Sequence, residues 1–348
     1  MKLFGFPWFD VEGKYARLPM NNLPAQVTQY KDDGTAVAVE ADKCGALILS
    51  PYTAGGQVRF RTDSSCIAIH AEVASAYPMY HMTCIGKSGF DTYIKIGEQW
   101  KCVGLSRMEV NVPEYTANMV SGLKREMRDV AINFPLYTAV KSVAIGLDKD
   151  AAIEAPTPFH DDRPIVFYGT SITQGGCATR PGMASSHILS RMLDREVINE
   201  GFSGSGRGEP EIASMLSDIP NAALYILDYA ANSSVGEYKT TLPKFIDILR
   251  AKHPDTPILL VSATPQDRDI NAFERPHVRI SGMRDTAKEE CQKRNAAGDK
   301  NIFFFDIYAL WLQRDFWEYE VDGVHLTDMG FLQFAQDIAP EIKKILGE

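Results

Sequence analysis

The 348-residue chain lacks any apolar run near the ~20 residues that a membrane span requires, and it has no low-complexity tract, so no transmembrane helix is expected. It lacks a basic excess: 36 Lys and Arg stand against 45 Asp and Glu, a formal charge of -9. That balance disfavours nucleic acid, whose phosphates are neutralised by Lys and Arg. Cysteine is sparse. Cys44, Cys66, Cys84, Cys102, Cys177 and Cys291 are spread singly, with no C-x-x-C pair to indicate zinc or a redox dithiol. Free thiols in a reducing cytoplasm are the expectation; disulfides among the first four require an exported protein. The N-terminus, "MKLFGFPWFDVEGKYARLP", meets Pro7, Asp10 and Glu12 before a signal-length apolar stretch can form. As written, the chain is expected in the cytoplasm; if it is trimmed, the periplasm or secretion is expected.

What is present divides in two, as the length suggests. Up to residue 150 the apolar pattern has period two. "TAVAV", "QVRF", "CIAIHAEV", "TYIKI", "MEVNV" and "VAINF" place alternate side chains on one face, separated by turns such as "DDG" and "AGG". Short strands with hardly a helix predict an all-β sandwich or jelly-roll-like domain over 1–150, burying one face of each sheet. Residues 151–163 then bring prolines into a polar stretch, expected to be a linker that continues neither ladder nor helix. Over 164–348, "PIVFYG", "REVINEGF", "ALYILDYA", "PILLVSA" and "NIFFFDIY" alternate with amphipathic segments. Near-continuous apolar strands are covered on both faces, which predicts an α/β fold: five parallel strands in a three-layer α/β/α domain. Its last helix is expected over Asp328 to Leu346, with Thr327 as N-cap.

In such a sheet, sites form beyond the carboxyl ends of the strands. Four strand ends here deliver what acyl transfer needs. "GTSITQGG" offers Ser171 as a nucleophile, which attacks an ester only if a base takes its proton. "VDGVH" offers His325 as that base, with Asp322 three residues earlier to hold the imidazole in one tautomer. The charge on the tetrahedral intermediate needs fixed donors; the backbone N–H groups of Ser171 and of Gly204 in "NEGFSGSG", and the amide of Asn232 in "DYAAN", are the candidates. No metal and no cofactor are needed by this set.

These blocks, in this order, resemble the SGNH hydrolases, the GDSL esterase/lipase superfamily. The resemblance covers Arg163 to Glu348 and implies a Ser171–His325–Asp322 triad with an oxyanion hole from Ser171, Gly204 and Asn232. Two departures, Gly169-Thr170-Ser171 for Gly-Asp-Ser and "AAN" followed by Ser233 for Gly-x-Asn-Asp, remove no catalytic atom and point to a subgroup. "GFDTY", Gly89 to Tyr93, resembles the Gly-x-Asp-Leu-Tyr signature of the β-sandwich that precedes some bacterial SGNH esterase domains. That layout implies a carbohydrate esterase releasing acetyl groups from a small-molecule or oligosaccharide ester. The alternatives are a short-chain lipid esterase, an acyltransferase, or a binding-only protein on a retired hydrolase scaffold.

Other residues carry plainer readings. His187 and His160 lack an acidic partner at useful spacing and are expected to be structural or solvated; His70 and His81 read as sheet residues, and Asp228 as framework. Trp311, Phe316, Trp317 and Tyr319 form either an apolar wall beside the serine or an ordinary packed amphipathic segment. Arg180 either closes the serine loop, contacts substrate, or is surface charge.

Overall fold

The structure, a computed structural model, describes residues 1–74, 79–109, 112–266 and 278–348. The period-two segments form antiparallel sheets. One contains, in spatial order, β1 (Lys2–Phe4), β4 (Gln57–Thr62), β9 (Arg128–Asn133), β6 (Asp91–Ile96) and β7 (Gln99–Leu105), with β11 (Ile153–Glu154) pairing to β4. The other contains β10 (Val140–Leu147), β5 (Ile67–Val73) and β8 (Glu114–Val120); β2 (Gln26–Tyr30) and β3 (Ala36–Glu40) make a separate hairpin. On β5 the buried residues are Ile67, Ile69, Ala71 and Val73, which share one core with Phe60, Val130 and Ile132 of the facing sheet. Each fully buried Val, Ile or Phe side chain of this set contributes about 1.5–3 kcal/mol of transfer free energy.

Of "MEVNV", Met108 and Val112 pack on the sandwich core, and Val110 and Asn111 lie outside the described residues. Two other expectations for this half are corrected. The Pro-rich stretch does continue a ladder, because Ile153 and Glu154 pair with Thr62 and Arg61, and β12 begins at Asp161, ahead of Pro164. Nor does the larger sheet bury only one face. Phe60 and Ile94 point into the sandwich, whereas Arg59, Asp91 and Tyr93 of the same strands are buried on the opposite side, against the second half of the chain.

That second half is the expected five-stranded parallel sheet, in the order β13 (Arg195–Gly201), β12 (Asp161–Gly169), β14 (Leu224–Asp228), β15 (Ile258–Val261), β16 (Ile302–Phe305). Helices Ser185–Leu193 and Asp328–Leu346 bury Ile188, Leu189, Phe331, Phe334 and Ile338 on one face of it. Helices Pro210–Leu216, Val235–Lys252 and Val278–Ala296 cover the other through Ile212, Phe245 and Met283. Thr327 caps the last helix by accepting from the Gly330 N–H. Chain order reverses direction at β12, whose neighbours are β13 on one side and β14 on the other, so a crevice opens at their carboxyl ends. First-half residues join both cores: Leu18, Val27 and Leu47 on one face, Leu136 and Tyr137 on the other.

Asp91 of "GFDTY" explains part of that union. It is wholly buried, and its carboxylate accepts from the Gly182 N–H at 2.8 Å, Arg180 Nη1 at 3.0 Å and Asn133 Nδ2 at 2.7 Å. Tyr93 Oη also accepts from Arg180, and the Arg191 guanidinium lies 4.3 Å above the Tyr93 ring. Burial pushes the Asp91 carboxyl up, opposed by Arg180, Asn133 and the Gly182 amide. The motif therefore clamps the loop that follows Ser171. Asp91→Ala strands a half-buried guanidinium and a buried N–H, and is expected to cost about 3–5 kcal/mol in urea unfolding; a change within ±0.5 kcal/mol of wild type would mean that the clamp carries no weight.

Glu200, at the end of β13, is buried with both carboxylate oxygens lacking a hydrogen-bond partner; burial raises its pKa from 4.5 to about 8, against the pull of Arg17. Asp228 is likewise raised by burial from 3.8 to about 8, although the Thr173 hydroxyl donates to it at 3.1 Å. Between those limits the folded chain holds protons that the unfolded chain releases, so these groups make stability fall as pH rises, by up to ~1.4 kcal/mol per pH unit each. Denaturation midpoints measured from pH 5 to pH 8 should decline less steeply in Glu200→Gln than in wild type; equal slopes would show that Glu200 does not titrate in this window.

Candidate active site

β12 ends at Gly169, and Thr170 continues extended before the chain turns into the short helix Ser171–Gln174. Thr170 Oγ1 accepts from the Ile172 N–H at 3.3 Å, which puts Ser171 at the first helical position. Backbone N–H groups there have no intrahelical partner and face outward. Carbonyl contacts hold the turn: the Ser171 carbonyl accepts from the Gly176 N–H at 2.8 Å and from Tyr137 Oη at 3.3 Å. Gly176 leaves room for the site, since a Cβ at that position would stand 2.8 Å from Tyr137 Oη and 3.1 Å from His325 Cδ2 and would push on both.

The imidazole arrives from the loop before the last helix. A bridge between Glu320 and Leu326 and a bond from the Val321 N–H to the His325 carbonyl close that loop, and Leu326 is fully buried beneath it. Asp322 Oδ1 accepts from the N–H groups of Val324 at 3.1 Å and His325 at 2.8 Å. Its Oδ2 lies 2.8 Å from His325 Nδ1, and His325 Nε2 lies 2.9 Å from Ser171 Oγ. Partial burial alone would push the Asp322 carboxyl up; the amide and imidazole of His325 outweigh it and hold the group below the usual carboxylate range. Ionised Asp322 thus fixes Nδ1 as the protonated nitrogen and leaves Nε2 as acceptor for the serine hydroxyl. Thr179 adds a strut, donating from N at 2.9 Å and from Oγ1 at 2.5 Å to Asp328 at the start of the helix.

Gly204 and Asn232 come to the same cavity of about 390 Å³, which is lined also by Ser171, His325, Arg207 and Arg279. Gly204 sits in the left-handed region at φ +63°, on the loop after β13. Asn232 ends the turn Ala230–Asn232 after β14, and its Nδ2 donates to the carbonyls of Ser205 and of Phe202, the latter at 3.4 Å. These carbonyls fix the amide's orientation. A larger depression of about 640 Å³ between β7 and β8 is lined by Cys102, Thr116 and Ser121 among others, but by no histidine or carboxylate that could act as their base.

One neighbour was missed from sequence. His81, read as a sheet residue, lies on the turn before helix Cys84–Ser88, its ring centroid 5.5 Å from that of His325 and its Nε2 4.0 Å from Asp322 Oδ2. No local pattern announces this; only the packing of the two halves does. Cys177 is buried beside it, with φ +74°, and its thiol is pushed up to about 12 by burial and by the Asp322 charge.

The other histidines follow their plain readings. His70 is on β5 beside Thr116, His160 is exposed, and His187 is buried, its pKa lowered to about 3 by desolvation and by Arg191. Asp228 is framework beneath Thr173. Arg180 closes the serine loop through Asp91. Of the aromatic segment, Trp311 and Phe316 are core, with Trp311 Nε1 donating to Asp337; none of Trp311, Phe316, Trp317 or Tyr319 lines the serine cavity, so the wall beside the serine is not formed.

Comparison with known proteins bears on the family and the fold. Residues 2–153 match the family described as the N-terminus of SGNH-hydrolase-type esterases, named for its GxDLY motif. A search of curated proteins finds no match. Among solved structures, a protein assigned as a GDSL-like lipase from Bacteroides ovatus ATCC 8483 is 29% identical, with a TM-score of 0.84 over 100% of this chain and 96% of that one. The salicylyl-acyltransferase SsfX3 from a tetracycline biosynthetic pathway is 21% identical (TM-score 0.69; 86% and 85% covered). A family two carbohydrate esterase from Clostridium thermocellum, in complex with cellohexaose, is 16% identical (TM-score 0.62; 84% and 93% covered). The last two likenesses concern the fold alone. Residues 162–343, more than half of the sequence, match the GDSL-like lipase/acylhydrolase family, and the chain belongs to that family.

Proposed function

We propose that the protein is a serine esterase that removes small acyl groups, acetyl first among them, from carbohydrate hydroxyls through an acyl-Ser171 intermediate. The observation that carries this is the unbroken chain Asp322 Oδ2, His325 Nδ1, His325 Nε2, Ser171 Oγ at 2.8 and 2.9 Å, opening onto a cavity. As Ser171 Oγ attacks the ester carbonyl, Nε2 takes its proton, and ionised Asp322 stabilises the imidazolium. The imidazolium then protonates the leaving alkoxide, and neutral His325 activates the water that releases the acid. The oxyanion would receive the N–H groups of Ser171 and Gly204. Asn232 has two amide hydrogens, both directed at the carbonyls of Ser205 and Phe202, so to join the hole it gives up the longer bond, the 3.4 Å one to Phe202.

The cavity supports the substrate class. Ser203, Asn232, Gln266, Arg207 and Arg279 give it a largely polar lining, suited to a hydroxyl-rich alcohol and a short acyl group rather than a long lipid chain. Acyl transfer to a sugar shares the first half-reaction, and the fold likeness to an acyltransferase keeps it as the second reading.

Turnover of 4-nitrophenyl acetate and labelling by a fluorophosphonate should both vanish in Ser171→Ala; labelling that persists in the variant would remove Ser171 from the reaction. Asn232→Ala should lower kcat by roughly 10²–10³-fold with the fold intact. Gly176→Ala pushes on the imidazole and should lower kcat by roughly 10–100-fold, as measured on the same aryl ester. Acetylated oligosaccharides should be cleaved faster than aryl esters of rising chain length, and a preference for long acyl chains would overturn the substrate class.

A further inference from the structure

Behind the Ser171–His325 contact, His81, Cys177, Asp322 and His325 converge from three distant stretches of the chain, and one potential ligand atom from each lies within 4.8 Å of all the others. Neither ring nitrogen of His81 has a hydrogen-bond partner although both are buried, and Nε2 stands 4.0 Å from Asp322 Oδ2. Leaving such atoms unpaired is costly, and a bound ion would relieve it. The set is two imidazoles, a thiolate and a carboxylate. Zinc takes these donors in tetrahedral sites, with bonds of about 2.0–2.3 Å, so ligand atoms end up about 3.3–3.8 Å apart. Small side-chain rotations close the remaining gap. Cys177 supplies a soft donor that magnesium and calcium do not favour.

We propose that these four residues form a zinc-class site whose occupancy switches the esterase off. Binding forms bonds from the ion to the Cys177 sulfur, to the Asp322 carboxylate and to one nitrogen of each imidazole. The Cys177 thiol gives its proton to solvent, a proton on the imidazole nitrogen that the ion takes moves to the other nitrogen of that ring, and no electron moves. The ion and His325 Nδ1–H compete for Asp322, so the imidazole loses its orienting acceptor and the hydroxyl of Ser171 loses its base. A trace transition metal would therefore act as a reversible inhibitor at a position formed jointly by the two halves of the chain. The inhibitory consequence rests on the esterase reading, whereas the binding itself does not.

The test uses the full chain, stripped of metal with a chelator and desalted. Cobalt(II) added as a spectroscopic stand-in should give a thiolate-to-metal charge-transfer band in the near ultraviolet, at one ion per chain, and zinc should displace it. Cys177→Ser should abolish the band. His81→Ala should weaken zinc binding by roughly tenfold or more and remove zinc inhibition of aryl acetate hydrolysis, while activity without metal is retained. His81→Gln takes its place if the melting transition shows that His81→Ala is unfolded. The absence of a band, or zinc inhibition of equal strength in wild type, Cys177→Ser and the His81 variant, would overturn the proposal. Binding without any ester hydrolysis would uphold the site and remove the esterase reading; hydrolysis indifferent to zinc would do the reverse.

Discussion

The 2.9 Å contact between His325 Nε2 and Ser171 Oγ joins residues 154 positions apart, and the fold can be understood as the means of closing it. A hydrogen bond of that length tolerates only a few tenths of an ångström of error, so both partners must be carried by parts that do not move. Ser171 is carried by β12, an interior strand bonded on both sides, and by a helical turn in which Thr170 caps the amide of Ile172. His325 is carried by a closed loop seated on Leu326 and continued by a helix that buries Phe331, Phe334 and Ile338 against the same sheet. Thr179 and Asp328 tie the two carriers together directly.

The β half supplies the remaining restraint. Asp91 holds the Gly182 amide and Arg180, Tyr137 reaches the Ser171 carbonyl, and Gln174 donates to the Leu136 carbonyl at 3.0 Å. Arg17, wholly buried, donates to the carbonyls of Tyr52 and Leu49 at 2.8 Å and to that of Gly201, and lies over the Phe202 ring. The contacts to Ser171, Gln174, Gly201 and Phe202 touch the ends of β12 and β13 or the turns that follow them. Buried polar contacts of this kind add little net stability but make alternative arrangements expensive. The sandwich thus acts on the chemistry by restricting where the serine loop can sit, and the short "GFDTY" motif, Gly89 to Tyr93, carries that restriction.

Much of this was legible in the sequence. The parallel strands announce themselves because burial on both faces demands continuous apolar runs, and the sites at their ends follow from the topology. Ser171, at the exit of β12, and Asp322 with His325, on the loop before the last helix, could be singled out from the order and content of their motifs. His81 could not. Its nearest functional partners are far along the chain, and nothing in "HMTC" differs from an ordinary helix entry. The face of β6 carrying Asp91 and Tyr93 was hidden for a similar reason: alternation tells which residues are buried within a sandwich, not that a second body covers the outer side. Ile153 and Glu154 add only two ladder positions to β4 ahead of Pro156, too few to leave a period.

The distribution of charge near the site follows from which carboxylates find donors. Glu200, Asp228 and Asp322 all stand near the carboxyl edge of the sheet. Glu200 has no hydrogen-bond donor and Asp228 has one hydroxyl, so burial prevails and both are raised toward neutrality. Asp322 has two backbone amides and an imidazole, enough to reverse the same penalty. Charge is therefore confined to the one carboxylate that faces His325. As neutral framework, Asp228 and Glu200 bring no anion to the strand ends, and Asp322, bonded to Nδ1, decides which ring nitrogen of His325 keeps its proton.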